Sequence, residues 1–313
     1  MQILRGKEDF LSGEEISRQL DSSRQSLWKH IQELKGKGYE IEAVPHLGYR
    51  LVSAPDRLYP EEVSFGLGTE FVGRTLYYHE RVPSTMDAAM ELGAAGCPDG
   101  TAVIAEAQSA GRGRLGRSWS SPKHKGIYCS LVLRPEIPPG QAPVLALLAA
   151  VAVCEAVENV SGVRCGIKWP NDILLHNRKL GGILTELRAE LDRTSYCVIG
   201  IGLNVNNAAD ELVAGAVSLK EAAGGPVERA ALLREIFSRA EAHYSVFLKK
   251  GGGRVLDEWR GRSVTLGSRV KVDAKGRHAE GVAVDIDSDG GLMVRDDSGI
   301  VRKFTAGDVV HVR

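Results

Sequence analysis

The chain has 313 residues, 43% of them hydrophobic, a length that predicts two or three domains with sizeable cores. Forty Lys and Arg residues balance forty Asp and Glu residues, which excludes a strong overall attraction to nucleic acid or to a membrane, so any such affinity must come from a local cluster. The cysteines are odd in number and form no CxxC pair, which argues against a disulfide framework or a zinc site: Cys97, Cys129, Cys154, Cys165 and Cys197. Because the N-terminus also lacks a secretion or lipidation pattern, we expect a cytoplasmic protein with reduced thiols.

Residues 1–60 predict a helix-turn-helix with a hairpin wing. Ser12 and Glu15 have the spacing of a capping box and start a short helix, and Ser23 caps a second helix with one apolar face. Alternating runs at 39–44 and 49–52 flank a turn and predict the hairpin. In such a module the start of the second helix contacts DNA bases, and the candidates are Ser23, Arg24, Gln25, Ser26, Lys29 and His30.

The charge of this second helix limits what one copy can do. Residues 24–37 hold four basic side chains and one acidic side chain, so few phosphates would be neutralised by one chain. Useful affinity for DNA would therefore require a dimer on two half-sites. A role as a plain protein-contact module stays open, because helix-turn-helix units also serve as scaffolds.

Residues 61–262 predict an α+β domain. Short turns join strand-like runs and favour an antiparallel meander over a doubly wound parallel sheet; the runs are 101–105, 126–134, 166–175, 181–188 and 196–205. We expect helices on one side of the sheet, at 85–93, 144–159 and 227–249. The apolar run 142–154 is too short to span a bilayer and predicts a buried helix.

Residues 263–313 have a different texture, with short β-prone runs separated by glycine-containing turns. Such spacing is typical of a small all-β unit, here an SH3-like barrel. The predicted strands are 264–266, 269–272, 281–286, 291–294 and 300–304.

The most informative motif is GRGRLGRSW at residues 111–119, which places three arginines on a glycine-rich loop. Guanidinium groups suit carboxylate and phosphate oxygens, and glycine lets backbone N–H groups approach the same ligand, so the loop predicts an anion clamp. It also satisfies GxGxxG, but a dinucleotide-binding helix cannot follow because Ser118 to Pro122 are poor helix formers. An exposed basic loop without a ligand is the alternative.

Three further motifs follow in order: KWPND at 168–172, RKLGGI at 178–183 and GIGLNV at 200–205. Together with the arginine–glycine loop, they resemble the biotin protein ligases, and the N-terminal module resembles that of the bacterial ligases that also repress the biotin operon. The resemblance covers essentially the whole chain. It implies a class II synthetase-like catalytic fold between the winged helix-turn-helix and the C-terminal barrel.

The resemblance also implies the chemistry. ATP and biotin, with Mg²⁺, would give biotinoyl-AMP and pyrophosphate, and the biotinoyl group would pass to a lysine of the biotin carboxyl carrier protein of acetyl-CoA carboxylase. No dedicated metal site is implied. The adenylate would also favour a homodimer that binds operator DNA; no membrane partner is expected.

Site residues follow by motif match. Those implied for biotin are Ser84, Thr85, Met86, Gln108, Arg112, Gly113, Arg114 and Lys179. Those implied for ATP or the adenylate are Arg114, Arg117, Trp119, Asn171, Lys179, Asn204 and Arg313. Arg114 and Lys179 would be catalytic, and Asp172, beside the KWPN turn, would either orient and deprotonate the acceptor amine or bind magnesium.

Two departures from the family pattern matter. Met86 stands where the family often has Asn, which removes one polar contact near biotin, and only ten residues containing Gly6 precede the helix capped by Ser12. Either translation begins further upstream or operator binding is weakened. The alternatives to a biotin ligase are a lipoate ligase, which shares the adenylation logic, and a ligand-sensing DNA-binding regulator without ligase activity.

Overall fold

The structure, a computed structural model, describes residues 3–7, 9–190, 193–274 and 277–312. The chain divides into two compact units, Met1–Arg57 and Leu58–Arg313. In the first, helices α1 (Gly13–Gln19) and α2 (Arg24–Gly36) are followed by an antiparallel hairpin of β1 (Glu40–Val44) and β2 (Gly48–Ser53). The Ser12 and Ser23 hydroxyls accept hydrogen bonds from Glu15 N and Ser26 N, so both predicted caps are confirmed.

The second unit is built on a seven-stranded sheet in the order β3-β4-β5-β9-β8-β7-β6. Its strands are β3 (Leu76–His79), β4 (Thr101–Ala105), β5 (Ile127–Leu133), β6 (Gly166–Lys168), β7 (Asp172–Leu175), β8 (Arg178–Glu190) and β9 (Arg193–Leu203). All neighbouring pairs are antiparallel except β3 and β4, which are parallel. The predicted antiparallel meander is therefore found in β6 to β9, which pair in chain order, whereas β5 pairs with β4 and with β9 rather than with β6. The turn at residues 169–171 splits the predicted run 166–175 into β6 and β7.

The prediction of helices on one side of this sheet is wrong. On β4, Val103 packs with α4 (Thr85–Ala94), while its neighbours Ala102 and Ile104 join the core that contains α5 (Ala142–Ser161). Because successive strand residues point to opposite faces, α4 and α5 lie on opposite sides. The remaining helices of the unit are α3 (Pro60–Ser64), α6 (Leu219–Ala223), α7 (Arg229–Lys250) and α8 (Gly253–Arg262).

Helix α5 is the most apolar element. The segment Pro139–Ser161 is long and apolar enough to cross a membrane by length and composition, and 67% of its most apolar window is buried inside the protein. The helix is longer than the run 142–154 seen in the sequence, because it continues through Glu155 and Glu158. It packs against α7, α8 and the β8–β9 face, as a buried core helix does.

The C-terminal part is a five-stranded antiparallel sheet in the order β13-β12-β11-β10-β14. The strands are β10 (Arg269–Ala274), β11 (Arg277–Ile286), β12 (Leu292–Arg295), β13 (Val301–Phe304) and β14 (Asp308–His311). The predicted run 264–266 is not a strand, and β14 was not predicted. Arg260 of α8 fixes this sheet to the rest of the unit by donating to Asp285 Oδ1 at 2.7 Å and to Ile286 O at 2.9 Å.

A fully buried ion pair anchors the base of the arginine–glycine loop. Arg229, the first residue of α7, donates to Glu106 at 2.8 Å, and both side chains have no exposed surface. Glu106 follows β4 and also accepts from Leu58 N at 2.7 Å. His124, on the other leg of the loop, lies 3.1 Å from the same carboxylate. Both legs are thus fixed to one buried charge before β5 begins.

Candidate functional site

One pocket contains most of the predicted site residues. It lies at the β5–β9–β8–β7 end of the large sheet and has a volume of about 300 Å³. The arginine–glycine loop, the KWPND turn, β8, β9 and the first turn of α4 line it, together with Asp308, Val309 and Val310 of β14. The predicted residues among its walls are Thr85, Met86, Gln108, Arg112, Gly113, Arg114, Arg117, Trp119, Asn171, Asp172 and Lys179.

The arginine–glycine loop is a narrow hairpin-like excursion between β4 and β5. Gly113 N donates to Arg117 O at 2.7 Å and Trp119 N to Gly111 O at 2.8 Å, so the two legs are bonded to each other. At the tip, Leu115 has φ +55° and its side chain is 70% exposed. The prediction that no helix follows the glycines is confirmed, because only a single 3-10 turn at Arg114–Gly116 is present.

Most cations in the pocket already have carboxylate partners. Arg112 bridges Asp87 and Glu186, Arg117 pairs with Asp308, and Lys179 Nζ lies 2.6 Å from Asp172 Oδ1. The sequence suggested a strongly positive clamp. The pairing makes the pocket much closer to electrically neutral than the motif alone implies, because sequence patterns do not show which anions fold back onto the cations.

Arg114 differs from these three paired cations. Its Nη1 donates to Asn171 Oδ1 at 3.1 Å and to Gly307 O at 3.3 Å, which are neutral acceptors. Burial lowers the pKa of its guanidinium, and the charges of Asp308 and Asp172 oppose that shift. A guanidinium that has lost water without gaining an ionised partner is a strong site for an incoming carboxylate or phosphate.

A chain of hydroxyl and amide groups includes Thr85 and Gln108 on the floor of the pocket and continues to the buried Ser121 and Ser130, which do not line it. Gln108 Oε1 accepts from Thr85 N at 2.8 Å, Gln108 Nε2 donates to Ser121 Oγ at 2.9 Å, and Ser130 Oγ donates to Thr85 Oγ1 at 2.9 Å. Ser84, which precedes α4, is 1% exposed and is not among the pocket walls; its hydroxyl has no hydrogen-bond partner within the described ranges. These donors and acceptors can bind a planar polar head group such as a ureido ring.

Two glycines of β9 make room for larger side chains. A Cβ on Gly202 would lie 2.6 Å from the Trp119 indole, and a Cβ on Gly200 would lie 2.6 Å from Met86 Sδ. The Trp119 ring also lies 5.6 Å from Lys179 Nζ, within cation–π range. Gly200 and Gly202 of the GIGLNV motif therefore leave the space that Met86 and Trp119 occupy in the pocket.

The remaining predicted residues are placed differently. Asn171 lines the pocket and is fixed by its donation to Ile183 O at 2.8 Å. Asn204 is 7% exposed, follows β9 and is not among the pocket walls. Arg313 lies outside the described residues.

Sequence reasoning missed three carboxylates of this site. Asp87 is in the first turn of α4, Glu186 is in β8 and Asp308 is in β14. Asp87 directly follows the predicted Ser-Thr-Met segment, which was the one local signal available. The positions of the other two depend on strand pairings that are distant in sequence.

The exposed face of α2 carries the predicted DNA-contact residues. Ser23, Arg24, Gln25, Lys29 and His30 are exposed and Ser26 is half-buried, while Leu27 and Ile31 face the small core of the first unit. Trp28 was not predicted, yet it is 56% exposed beside Arg24 and Lys29. A large aromatic side chain on this face is a further candidate for contact with a thymine methyl group or a sugar.

Residues 78–204 match the model of the biotin/lipoate A/B protein ligase family, residues 1–50 match a helix-turn-helix domain, and residues 265–312 match the biotin protein ligase C-terminal domain. The structure of biotin protein ligase from Aquifex aeolicus in complex with biotin and ATP is similar, with a TM-score of 0.65 at 27% identity. The match covers 77% of this chain and 99% of that chain. The fold is thus that of the biotin protein ligases.

The bifunctional ligase/repressor BirA of Bacillus subtilis (strain 168) is 41% identical over 302 residues, which are 95% of this chain and 93% of the relative. BirA of Escherichia coli (strain K12) is 31% identical over 304 residues, 96% of this chain and 92% of the relative. The chain belongs to this family of bifunctional ligase/repressors: it is a biotin ligase that carries a helix-turn-helix domain. The resemblance drawn from the four motifs, the α+β fold and the ligase activity are confirmed.

Proposed function

We propose that the pocket condenses biotin with ATP to biotinoyl-AMP, with release of pyrophosphate, and then transfers the biotinoyl group to a lysine of a biotin carboxyl carrier protein, with release of AMP. The observation that carries this assignment is the coincidence of a neutral hydrogen-bonding floor at Thr85 and Gln108 with cations at Arg114 and Lys179. One end suits a ureido group and the other suits a carboxylate beside a phosphate.

The first step sets like charges side by side. A carboxylate and a phosphate at 4 Å repel by about 4 kcal/mol at an effective dielectric of 20, so fixed cations are needed where they meet. Arg114 supplies a partly desolvated guanidinium, and Lys179 supplies an ammonium that must leave Asp172 or share it. Trp119 and Asn171 border the adenylate, and Arg117 meets the phosphates after release from Asp308.

Mg²⁺ enters with ATP in this proposal. Asp172 and Asp308 are the carboxylates in the pocket walls, and carboxylate oxygens are the donors that Mg²⁺ prefers. Bound with the triphosphate, the ion would offset phosphate charge. It would also compete with Lys179 and Arg117 for the same two carboxylates.

The second step requires a neutral acceptor amine. At a reference pKa near 10.4, only about one lysine in 2,500 is neutral at pH 7, equivalent to roughly 4.6 kcal/mol. Asp172 lies 2.6 Å from Lys179, so it either exchanges Lys179 for the acceptor amine or orients that amine from the same position. If Asp172→Ala transferred preformed biotinoyl-AMP as fast as the wild type, this role would be excluded.

In the cell the protein would act in the cytoplasm in three parts, residues 1–60, 61–262 and 263–313. The adenylate would favour a homodimer, and two copies of α2 would then contact biotin operator DNA. Two copies double the phosphates neutralised, which offsets the modest charge of a single helix. A gel shift on DNA upstream of biotin synthesis genes, with and without biotin and ATP, tests this repressor role.

The central experiment is ATP–pyrophosphate exchange with biotin or lipoate as the acid. We expect exchange with biotin, little with lipoate, and loss of most activity when Arg114 and Lys179 are both replaced by alanine. An undiminished rate in that double variant would refute the proposed chemistry. Preference for lipoate would reassign the substrate, and transfer to a carrier domain would exclude a regulator without ligase activity.

A further inference from the structure

We infer that Arg112 is a latch for the arginine–glycine loop rather than a ligand for substrate anions, and that Asp87 and Glu186 are the positioning residues that hold it. The inference rests on the proposed adenylation, but its geometry is independent of any ligand. Arg112 Nη2 lies 2.7 Å from Asp87 Oδ1, and Nη1 lies 2.8 Å from Glu186 Oε1.

The two ion pairs join three separate elements. Arg112 belongs to the loop, Asp87 to the first turn of α4 and Glu186 to β8. Thr85 and Met86, directly before Asp87, line the pocket, and so do Ile183 and Leu184 of β8. The guanidinium therefore links α4 to β8 and ties the loop to both.

Charge argues against a direct role for Arg112 in binding a carboxylate or phosphate. One cation between two carboxylates leaves the group of three with a net negative charge, and both terminal guanidinium nitrogens are already engaged. An incoming anion would meet repulsion there. Arg114 has only neutral acceptors in its hydrogen bonds and is the better anion ligand.

Holding Arg112 also holds the opposite leg of the loop. Arg112 forms an isolated antiparallel bridge with Ser118, next to Trp119, and Gly113 N donates to Arg117 O. Release of the guanidinium would therefore remove the ties of both legs to α4 and β8, and would leave the loop held by Arg114 and Arg117 at its tip and by Gln108 at its base. A loop that opens too readily would admit water to the mixed anhydride or release it.

Two variants and one control test the latch. Asp87→Asn with Glu186→Gln removes both negative partners while keeping similar shapes, and Arg112→Gln removes the cation. The matched control is Asp297→Asn, which removes a carboxylate from an exposed pair with Arg269 in the C-terminal sheet. Each protein is loaded with radiolabelled biotin and ATP, passed through a desalting column, and followed for release of biotinoyl-AMP without acceptor.

We expect the Asp87→Asn/Glu186→Gln protein to release or hydrolyse the adenylate about three- to tenfold faster than the wild type, as fits two partly exposed ion pairs. Its rate of adenylate formation should stay within about twofold, because no side chain that touches the reacting atoms is changed. Arg112→Gln should release or hydrolyse the adenylate faster by a similar factor. Arg112→Lys should recover one of the two contacts and part of the retention.

Limited trypsin digestion of the ligand-free proteins gives a readout that needs no activity. Arg114 and Arg117 are cleavage sites in the loop, and we expect the Asp87→Asn/Glu186→Gln protein to be cut there several times faster, with Asp297→Asn unchanged.

Unchanged cleavage and unchanged retention would overturn the latch. So would a large loss of adenylate formation in Arg112→Gln alone, which would make Arg112 a substrate ligand. If the wild type formed no adenylate, the proposed function would fail, while the digestion would still decide the latch.

Discussion

Alanine at Gly202 tests how the pocket positions Trp119. A Cβ at this position would lie 2.6 Å from Trp119 Cε2 and 2.8 Å from Nε1. Carbon atoms in contact are normally about 3.5–4.0 Å apart, so the indole has to move by roughly 1 Å. The backbone tolerates the change, because Gly202 is an extended residue of β9 without positive φ.

The cost should appear in catalysis more than in stability. Overpacking costs about 1–3 kcal/mol, but glycine-to-alanine exchange at a compatible position returns about 0.4–1 kcal/mol through the unfolded chain. We therefore expect a loss of about 1 kcal/mol in the free energy of unfolding. A 1 Å displacement of a positioning group can cost up to about a hundredfold in rate, and we expect kcat/KM for ATP to fall about ten- to hundredfold.

Pyrophosphate exchange measured at varied ATP and at varied biotin separates the two substrates. The KM for biotin should change by less than about threefold, because the hydrogen bond between Thr85 N and Gln108 Oε1 does not involve the Trp119 indole. Gly225→Ala is the control, since its Cβ would meet nothing within 4 Å. Trp119→Phe in the Gly202→Ala background should recover part of the ATP dependence, and an ATP dependence within twofold of the wild type in Gly202→Ala would refute the reasoning.

Three further predictions concern charge. Arg229→Met should lower the free energy of unfolding, measured in urea, by about 3–5 kcal/mol, because it removes the buried arginine that neutralises the Glu106 carboxylate. Adding Glu106→Gln should restore part of that loss, and two equally unstable proteins would contradict this explanation. Hydrogen bonding from Arg260 lowers the pKa of Asp285 in the folded protein. The contribution of this ion pair to the free energy of unfolding is therefore present above a pH of about 4 and is lost as the pH falls through the folded-state pKa of Asp285. Arg260→Gln should therefore destabilise by about 0.5–1 kcal/mol at pH 7 and by much less at pH 3, whereas a pH-independent difference would contradict the assignment. Lys179→Met should reduce the single-turnover rate of adenylate formation about 10²- to 10³-fold, and a rate near that of the wild type would show that Lys179 stays with Asp172.

Local signals carried the sequence predictions that succeeded. The caps at Ser12 and Ser23 depend on side chains three residues away, and strand β4 is a continuous apolar run. Such features are encoded within a few residues and do not depend on the rest of the fold. Each of the four ligase motifs is also contiguous, which explains why they could be recognised in the sequence.

Long-range pairing accounts for what the sequence could not predict. Asp308 approaches Arg117 only because β14 pairs with β10, and Glu186 approaches Arg112 only through the register of β8 with β9. Helix α4 lies opposite α5 because Val103 points away from its neighbours in β4. No window of a few residues contains these relations, so the charge balance of the pocket was visible only in three dimensions.

The apolar surface of helix α5 determines how the protein behaves when it partly unfolds. This twenty-residue helix is as apolar as a membrane-spanning segment, and α7, α8 and the large sheet keep its surface from contact with other chains. When those elements separate from α5 in a partly unfolded state, a large hydrophobic surface is exposed to other chains. We expect the thermally unfolded protein to aggregate rather than refold. Substitutions in the residues that pack against α5 should lower the soluble yield before they reduce the enzymatic rate.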